Sequence, residues 1–287
     1  MISLKHIFLI SQNVSDDINF LVNKIHASCQ TLGYDSYAIT IVGCNEELLE
    51  CAKKCSKGDY IVYAVGDDKE VNIVLNGLIN GEAKLGVIPV GYNNDFYRSL
   101  DEYRSDSLNV NVMSVNGKYG LNVFSLGIYA DICANVEKFE NLPLPSKFLY
   151  HLNSLYTFLK YRNQVMGVND FFQKNTLLAV CNGSYYRGGY KIAPRVFINS
   201  PSVGVTMVED MTKLQTFFWL EVMEGICEET PKVDMFMTDE EIHIETMNLL
   251  NGQIDGEVIT GNEFRVIPHV GNIEVVNNRK LIRELRK

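Results

Sequence analysis

No stretch of this sequence reaches the roughly 18–20 uninterrupted apolar residues that a membrane-spanning helix needs, and no such segment is expected. The opening MISLKHIFLISQNVSDD has a short apolar run but lacks a small-residue cleavage site, so it reads as a first strand rather than a signal peptide. Basic residues are scarce beside acidic ones, 26 Lys+Arg against 35 Asp+Glu, a net charge of −9. Nucleic acid is therefore not an expected partner, because phosphate backbones are held by clustered Lys and Arg. The same deficit weakens attraction to anionic lipid headgroups, although a local basic patch can survive within it. Cys29, Cys44, Cys51, Cys55, Cys133, Cys181 and Cys227 contain no C-x-x-C pair, and the five histidines are scattered. Reduced, structural cysteines in a cytoplasmic protein are expected, and no metal site.

What is present is ordinary globular composition, 46% apolar and 21% charged over 287 residues, enough for one large domain or two of usual size. Leu4–Ile10 reads as a strand and Asp16–Leu32 as a helix, with Ile18, Leu21, Val22 and Ile25 at helical spacing and Gly33 as a stop. Strand Ser36–Val42, helix Glu46–Ser56, strand Asp59–Val65, a helix near Val71–Leu78 and strand Lys84–Ile88 continue the alternation, which argues for a parallel α/β layer. In such sheets ligands bind at the carboxyl ends of strands, where the Gly66 and Gly91 loops fall.

Beyond about residue 105 the pattern becomes antiparallel. Leu108–Ser114 and Tyr119–Leu126 read as strands paired about Asn116-Gly117. Helix Lys147–Tyr161 lines Phe148, Leu152, Leu155 and Leu159 along one face. Strands follow at Thr176–Asn182, Gly204–Val208, Val233–Met237, Glu241–Glu245, Glu263–Ile267 and Asn272–Val276, with a helix near Lys213–Glu224. The expected division is 1–115 for an α/β nucleotide-binding-type domain and 116–287 for a β-rich, sandwich-like domain with inserted helices. The basic tail 278–287 either packs back on the first domain or frays.

Four stretches in order carry a resemblance. Gly66-Asp67-Asp68-Lys69-Glu70-Val71-Asn72-Ile73-Val74-Leu75-Asn76-Gly77-Leu78 lines up with G-G-D-G-T-x-N-E-V-x-N-G-L, and Leu85–Leu100 with L-G-x-x-P-x-G-T-x-N-D-F-A-R-x-L. Cys181–Pro194 is similar to N-G-x-x-x-G-G-G-x-x-x-A-P, and Asp255-Gly256-Glu257 fits a late D-G-E. Together they resemble the diacylglycerol kinase catalytic-domain family, which includes bacterial lipid kinases and sphingosine kinases.

The resemblance implies a first domain like NAD kinase and phosphofructokinase, with ATP and a lipid hydroxyl meeting in a cleft and Mg2+ assisting phosphoryl transfer. On that pattern Gly66, Asp67, Asp68, Lys69, Glu70, Val71 and Asn72 cradle phosphates. Thr40, Gly91, Tyr92, Asn94 and Asp95 flank the nucleotide. Glu257 is the matched proton acceptor and Asp255 stands beside it, as a reaction that takes a proton from an alcohol requires. The lipid would be met at a membrane surface, by a cytoplasmic protein with peripheral attachment; a homo-oligomer is left open.

The departures are concentrated on the nucleotide side. Two loop glycines become Asp67 and Lys69, the threonine becomes Glu70 and the helix glutamate Ile73, leaving Gly66, Asp68 and Asn72. The loop then carries −2 where a polyanion is expected, and a like-charge pair at about 4 Å costs on the order of 1–4 kcal/mol. The N-P-x-x-G turn after the first strand reads Ser11-Gln12-Asn13-Val14-Ser15, the second-motif threonine is Tyr92, and a D-G-L turn reads Val203-Gly204-Val205.

Structural readings stand beside the functional ones. Asp68 would serve to cap the following helix, Lys69 as a solvated loop residue, and Asn94-Asp95 as a capping pair. Gly188-Gly189 and Asp255-Gly256-Glu257 would serve as turns, and Phe217-Phe218-Trp219 as core packing. Two functions follow: an ATP-dependent kinase acting on a hydroxyl of diacylglycerol or a related lipid, or a catalytically inactive homologue that binds lipid, nucleotide or a protein partner.

Overall fold

A computed structural model of the chain describes residues 5–15, 17–139, 142, 146–215 and 232–287. The backbone divides into two compact units, Met1–Val110 with Asn272–Lys287, and Asn111–Gly271.

The first unit alternates as its sequence pattern predicts: β1 (Lys5–Ser11), α1 (Ile18–Thr31), β2 (Tyr37–Val42), α2 (Asn45–Cys55), β3 (Tyr60–Gly66), α3 (Asp68–Leu78), β4 (Lys84–Pro89) and α4 (Asp95–Asp101). The strands are parallel in the order β4-β3-β1-β2. Ile61–Val65 is buried throughout, as expected for a parallel strand covered on both faces. The order reverses at β1, so the carboxyl ends of β1 and β3 flank a topological switch point. Residues Gln12–Val14, a single 3-10 turn, follow β1 there, and Asp67 follows β3. Helix α3 begins at Asp68, three residues earlier than its apolar pattern predicts, because Asp67 caps it. The expected acidic loop is thereby reduced to one residue between strand and helix.

The tail packs back on this unit. The last residues of β15 (Glu257–Val276) pair in parallel with β4, Val275 opposite Leu85, and helix α7 (Arg279–Arg286) follows. Asn278 starts that helix: its side-chain oxygen accepts from Leu281 N at 3.1 Å, and its Nδ2 donates to the hydroxyls of Tyr34 and Tyr63 at 2.7 and 2.9 Å. Leu281 is fully buried in the core that holds Phe8 and Tyr63.

The second unit is antiparallel. The end of β5 (Ser107–Val115) turns through Asn116 and Gly117, both at positive φ, into β6 (Lys118–Gly120), the hairpin read from the sequence. Then come β7 (Val123–Gly127), α5 (Ile128–Ala134), α6 (Ser146–Lys160), β8 (Gln164–Val168) and β9 (Phe171–Cys181). A small ribbon of β10 (Tyr185–Tyr186) and β11 (Tyr190–Lys191) precedes β12 (Val203–Glu209), β13 (Val233–Thr238) and β14 (Ile242–Ile254). The strand order is β13-β12-β9-β7-β14-β15, with β8 joining β9 and β14 through their other halves. Alternate residues of β9 divide the interior: Leu178 and Val180 meet Phe124, Val205, Ile254 and Phe264, while Leu177 and Ala179 face α5.

Several expectations change here. The strand expected over Tyr119–Leu126 is interrupted at Leu121–Asn122, whose amides point at a side chain rather than at a neighbouring strand. Glu263–Ile267 and Asn272–Val276 belong to one strand. On α6 the apolar stripe is not the buried face: Phe148, Leu155 and Leu159 are exposed, whereas Asn153 and Thr157 are buried and bonded to Ile132 O and Asn135. The helix expected near Lys213–Glu224 and the run Phe217-Phe218-Trp219 fall outside the described residues beyond Gln215.

Replacing Asn278 by Ala removes a cap and two hydroxyl bonds together. Unfolding free energy from urea denaturation should drop by about 1–3 kcal/mol; an unchanged midpoint would mean that Leu281 packing alone holds the tail.

Candidate functional site

The loop after β3 is closed by its own side chains. Asp67 is the N-cap of α3, and its carboxylate accepts from Lys69 N at 2.9 Å and from Glu70 N. Glu70 reaches back so that its Oε2 accepts from Asp67 N at 3.0 Å, completing a capping box. Asp68 N donates to Asn93 O at 2.9 Å. Four consecutive amides, those of Asp67, Asp68, Lys69 and Glu70, are thus engaged within the protein. A helix N-terminus offers an anion only such groups. The carboxylates of Asp67 and Glu70 stand where a phosphate would be received, and a nucleotide phosphate does not fit the loop in this arrangement.

Gly66 fits the same picture. A Cβ there would lie 2.6–2.7 Å from the Glu70 side chain, so the absence of a side chain at 66 makes room for Glu70. Asp67 is half-buried, and loss of water around its carboxylate, followed by the neighbouring Glu70 charge, pushes its carboxyl well above the usual carboxylate range.

Asp68 does cap a helix, but a different one from that expected. It is buried, and its two carboxylate oxygens accept from Asp95 N at 2.9 Å and Phe96 N at 3.0 Å, at the start of α4. Asn94 occupies the N-cap position of α4 without a side-chain cap bond; its Nδ2 donates to Gly91 O instead. Asp95 is buried and pairs with Arg98 at 3.1 Å. Gly91 takes φ +92°, a left-handed value that suits glycine, and Tyr92 is exposed. Val71 and Asn72 are buried within α3. These bonds gather the start of α3 with Gly91, Asn93, Asn94 and Asp95. Thr40 is not part of that cluster: it lies half-buried on β2, paired with Leu9 of β1, which stands between β2 and β3.

In the second unit Asp255 and Gly256, at φ +48° and +89°, form the two-residue turn from β14 to β15. Asp255 is buried and its carboxylate accepts from Leu121 N, Asn122 N and Val123 N at 2.7, 3.0 and 2.7 Å. Both oxygens are committed to backbone, which gives this residue a structural task. Glu257 is half-buried and pairs with Lys118 at 2.5 Å.

Residues that the motifs did not single out complete the turn. Gln253 Oε1 accepts from Gly256 N at 2.6 Å, and its Nε2 donates to Ser125 Oγ at 2.9 Å and Tyr186 Oη at 3.0 Å. Asn182, from the third motif, donates to Asn111 O and Leu121 O and accepts from Asn111 Nδ2. Gly188 and Gly189, at φ +82° and +117°, are turn residues. Apart from the bond between Gln253 and Gly256, these partners lie tens of residues apart, and no local spacing announces them.

Residues 7–117 match the diacylglycerol kinase catalytic domain, and residues 122–276 match the YegS C-terminal NAD kinase beta sandwich-like domain. A Bacillus subtilis diacylglycerol kinase is 30% identical over 145 residues, which cover 45% of this chain and 44% of that protein. A provisionally named lipid kinase of Staphylococcus carnosus is 26% identical over 228 residues, 69% of this chain and 71% of its own. The crystal structure of a diacylglycerol kinase from Bacillus anthracis shares the fold, with a TM-score of 0.69 at 16% identity over 97% of this chain and 98% of that one.

Two outcomes test this geometry. A raised Asp67 carboxyl binds its proton more tightly in the folded state, so its stabilising effect is complete below the ordinary carboxylate range and lost as pH rises through the raised value. Asp67→Asn keeps a capping oxygen without the charge. Its urea midpoint should gain on the native protein as pH rises above the ordinary carboxylate range, whereas parallel pH profiles would contradict the assignment. Asp255→Ala strands three amides and should cost about 3 kcal/mol or more in the same measurement.

Proposed function

The chain belongs to the diacylglycerol kinase catalytic-domain family, and from that membership we propose a lipid-kinase homologue in which conventional ATP-dependent phosphoryl transfer is weak or lost. Its remaining task on this reading is to bind lipid. The observation that supports the proposal most is the capping box at Asp67 and Glu70. Phosphoryl transfer depends on positioning and on neutralising phosphate charge. Here the amides that would do so already hold two carboxylates, and a bound triphosphate would have to displace them against like charge. Tyr92 in place of threonine, and the 3-10 turn Gln12–Val14 in place of a glycine turn, lie on the same nucleotide side.

The reading of an active kinase keeps one observation in its favour. Glu257 is partly exposed at the end of a turn that Asp255 and Gln253 hold rigidly, as a positioned proton acceptor needs to be. On that reading Mg2+ accompanies the nucleotide, and the acceptor is a hydroxyl of diacylglycerol or a related lipid.

Calorimetry with Mg2+–ATP, beside a phosphorylation assay on diacylglycerols, sphingoid bases and phosphatidylglycerol, separates the two. The homologue reading expects no lipid phosphorylation and no saturable nucleotide binding at millimolar concentration. Lipid turnover abolished by Glu257→Ala would overturn it. The combined substitution Asp67→Gly, Lys69→Gly and Glu70→Thr should raise nucleotide affinity by about ten- to a thousandfold through removal of like charge. No gain would place the obstacle elsewhere than the capping box.

A further inference from the structure

The charge of the chain is unevenly distributed. The last nine residues, Arg279–Lys287, hold five of the 26 basic residues and one of the 35 acids, so this stretch carries +4 in a chain of −9. Arg279–Arg286 form α7 and Lys287 follows it; Leu281 and Ile282 are buried, while Lys280, Arg283, Arg286 and Lys287 are exposed. At 100° per residue, Lys280, Arg283 and Lys287 fall on the side opposite the buried pair.

Local stabilisation accounts for only part of this. Arg279 bonds Asp101 O and pairs with Asp101 at 3.4 Å, and Lys287 pairs with Glu284 at 2.5 Å. Arg283 and Arg286 complement the negative end of the helix. Lys280 stands in the first turn, where a cation opposes the dipole. Among the described residues, Lys280, Arg283 and Arg286 have no carboxylate partner within ion-pair distance.

An apolar anchor lies beside them. Phe20 on α1 is 60% exposed. Lys24 links it to α7: its ammonium is 5.4 Å from the Phe20 ring centroid and donates to Leu285 O at 2.8 Å. The acid nearest Phe20 in sequence, Asp17, is occupied in capping α1 through Phe20 N at 2.9 Å.

We propose that α7 and Phe20 form a surface that docks the first unit on an anionic lipid bilayer, the basic side chains at the headgroups and the phenyl ring in the interface. A cluster of basic residues beside one exposed aromatic ring suits a headgroup layer over an apolar interior. The choice of a bilayer over RNA, which a basic face also attracts, rests on the lipid-binding reading above.

The test is flotation of the full-length protein, without nucleotide, on vesicles of phosphatidylcholine alone or mixed with phosphatidylglycerol. Binding should require phosphatidylglycerol and weaken as salt rises. Lys280→Glu, Arg283→Glu and Lys287→Glu together should weaken it by at least about a hundredfold, at roughly 1 kcal/mol per basic residue near the surface. Phe20→Ala should weaken it severalfold while leaving its salt dependence. Unchanged circular dichroism and urea midpoints in these exposed-site variants confirm that a loss reflects docking. Equal binding to both vesicles, indifference to charge reversal, or tighter binding to a single-stranded RNA oligonucleotide would overturn the proposal. Since no nucleotide is present, ATP turnover by the protein would refute the inactive reading and leave this result standing.

Discussion

Each amide at the start of a helix can serve one strong acceptor, and at α3 the protein supplies those acceptors itself. Asp67 takes the amides of Lys69 and Glu70, Glu70 takes that of Asp67, and Asn93 O takes that of Asp68. The arrangement explains why Gly66 persists while the glycines after it do not. Position 66 must stay bare because Glu70 folds over it, whereas position 67 must carry an oxygen. It also explains how α3 tolerates three acids near its first turn: negative charge is favourable at that end of a helix. The same chemistry that welcomes phosphate in a glycine loop welcomes carboxylate here, and an attached carboxylate has the advantage of high effective concentration.

Asp68 extends the constraint to a second element. By capping α4 it ties the end of β3 to the segment after β4, so the loop between Pro89 and Asp95 is held at its end by α3. A buried carboxylate with two amide donors is a stable fixture. The loop is therefore a finished piece of structure. Its carboxylates still carry a cost, visible in the raised Asp67 carboxyl, because burial strips water from it and a second acid, Glu70, stands beside it.

Much of this was legible in the sequence, for a physical reason. Alternating apolar patterns report burial, so the parallel strands, their helices and the Asn116-Gly117 hairpin follow from periodicity and turn chemistry. The four motifs placed the loop and the Asp255–Glu257 turn in the correct order. What periodicity does not report is the destination of a polar side chain. Asp68 capping α4, Asp255 receiving amides from Leu121–Val123, and Gln253 donating to Ser125 and Tyr186 all join residues far apart in sequence. The stripe Phe148, Leu155 and Leu159 misled for a related reason: a helix can bury polar residues when they find partners, as Asn153 and Thr157 do.

The residues at the loop that depart from the motif act as a set. Glycine at 67 alone would leave Glu70 bonded to the amide of residue 67. Threonine at 70 alone would leave Asp67 on the amides of 69 and 70, now freed from the neighbouring acid and better able to ionise. Each reversal therefore leaves one carboxylate in the anion position, and the second would relieve a penalty that the first sustains. Contacts that share partners are not additive. The box is accordingly a local minimum that single substitutions do not leave, which is a physical reason for the loop to stay closed by its own side chains.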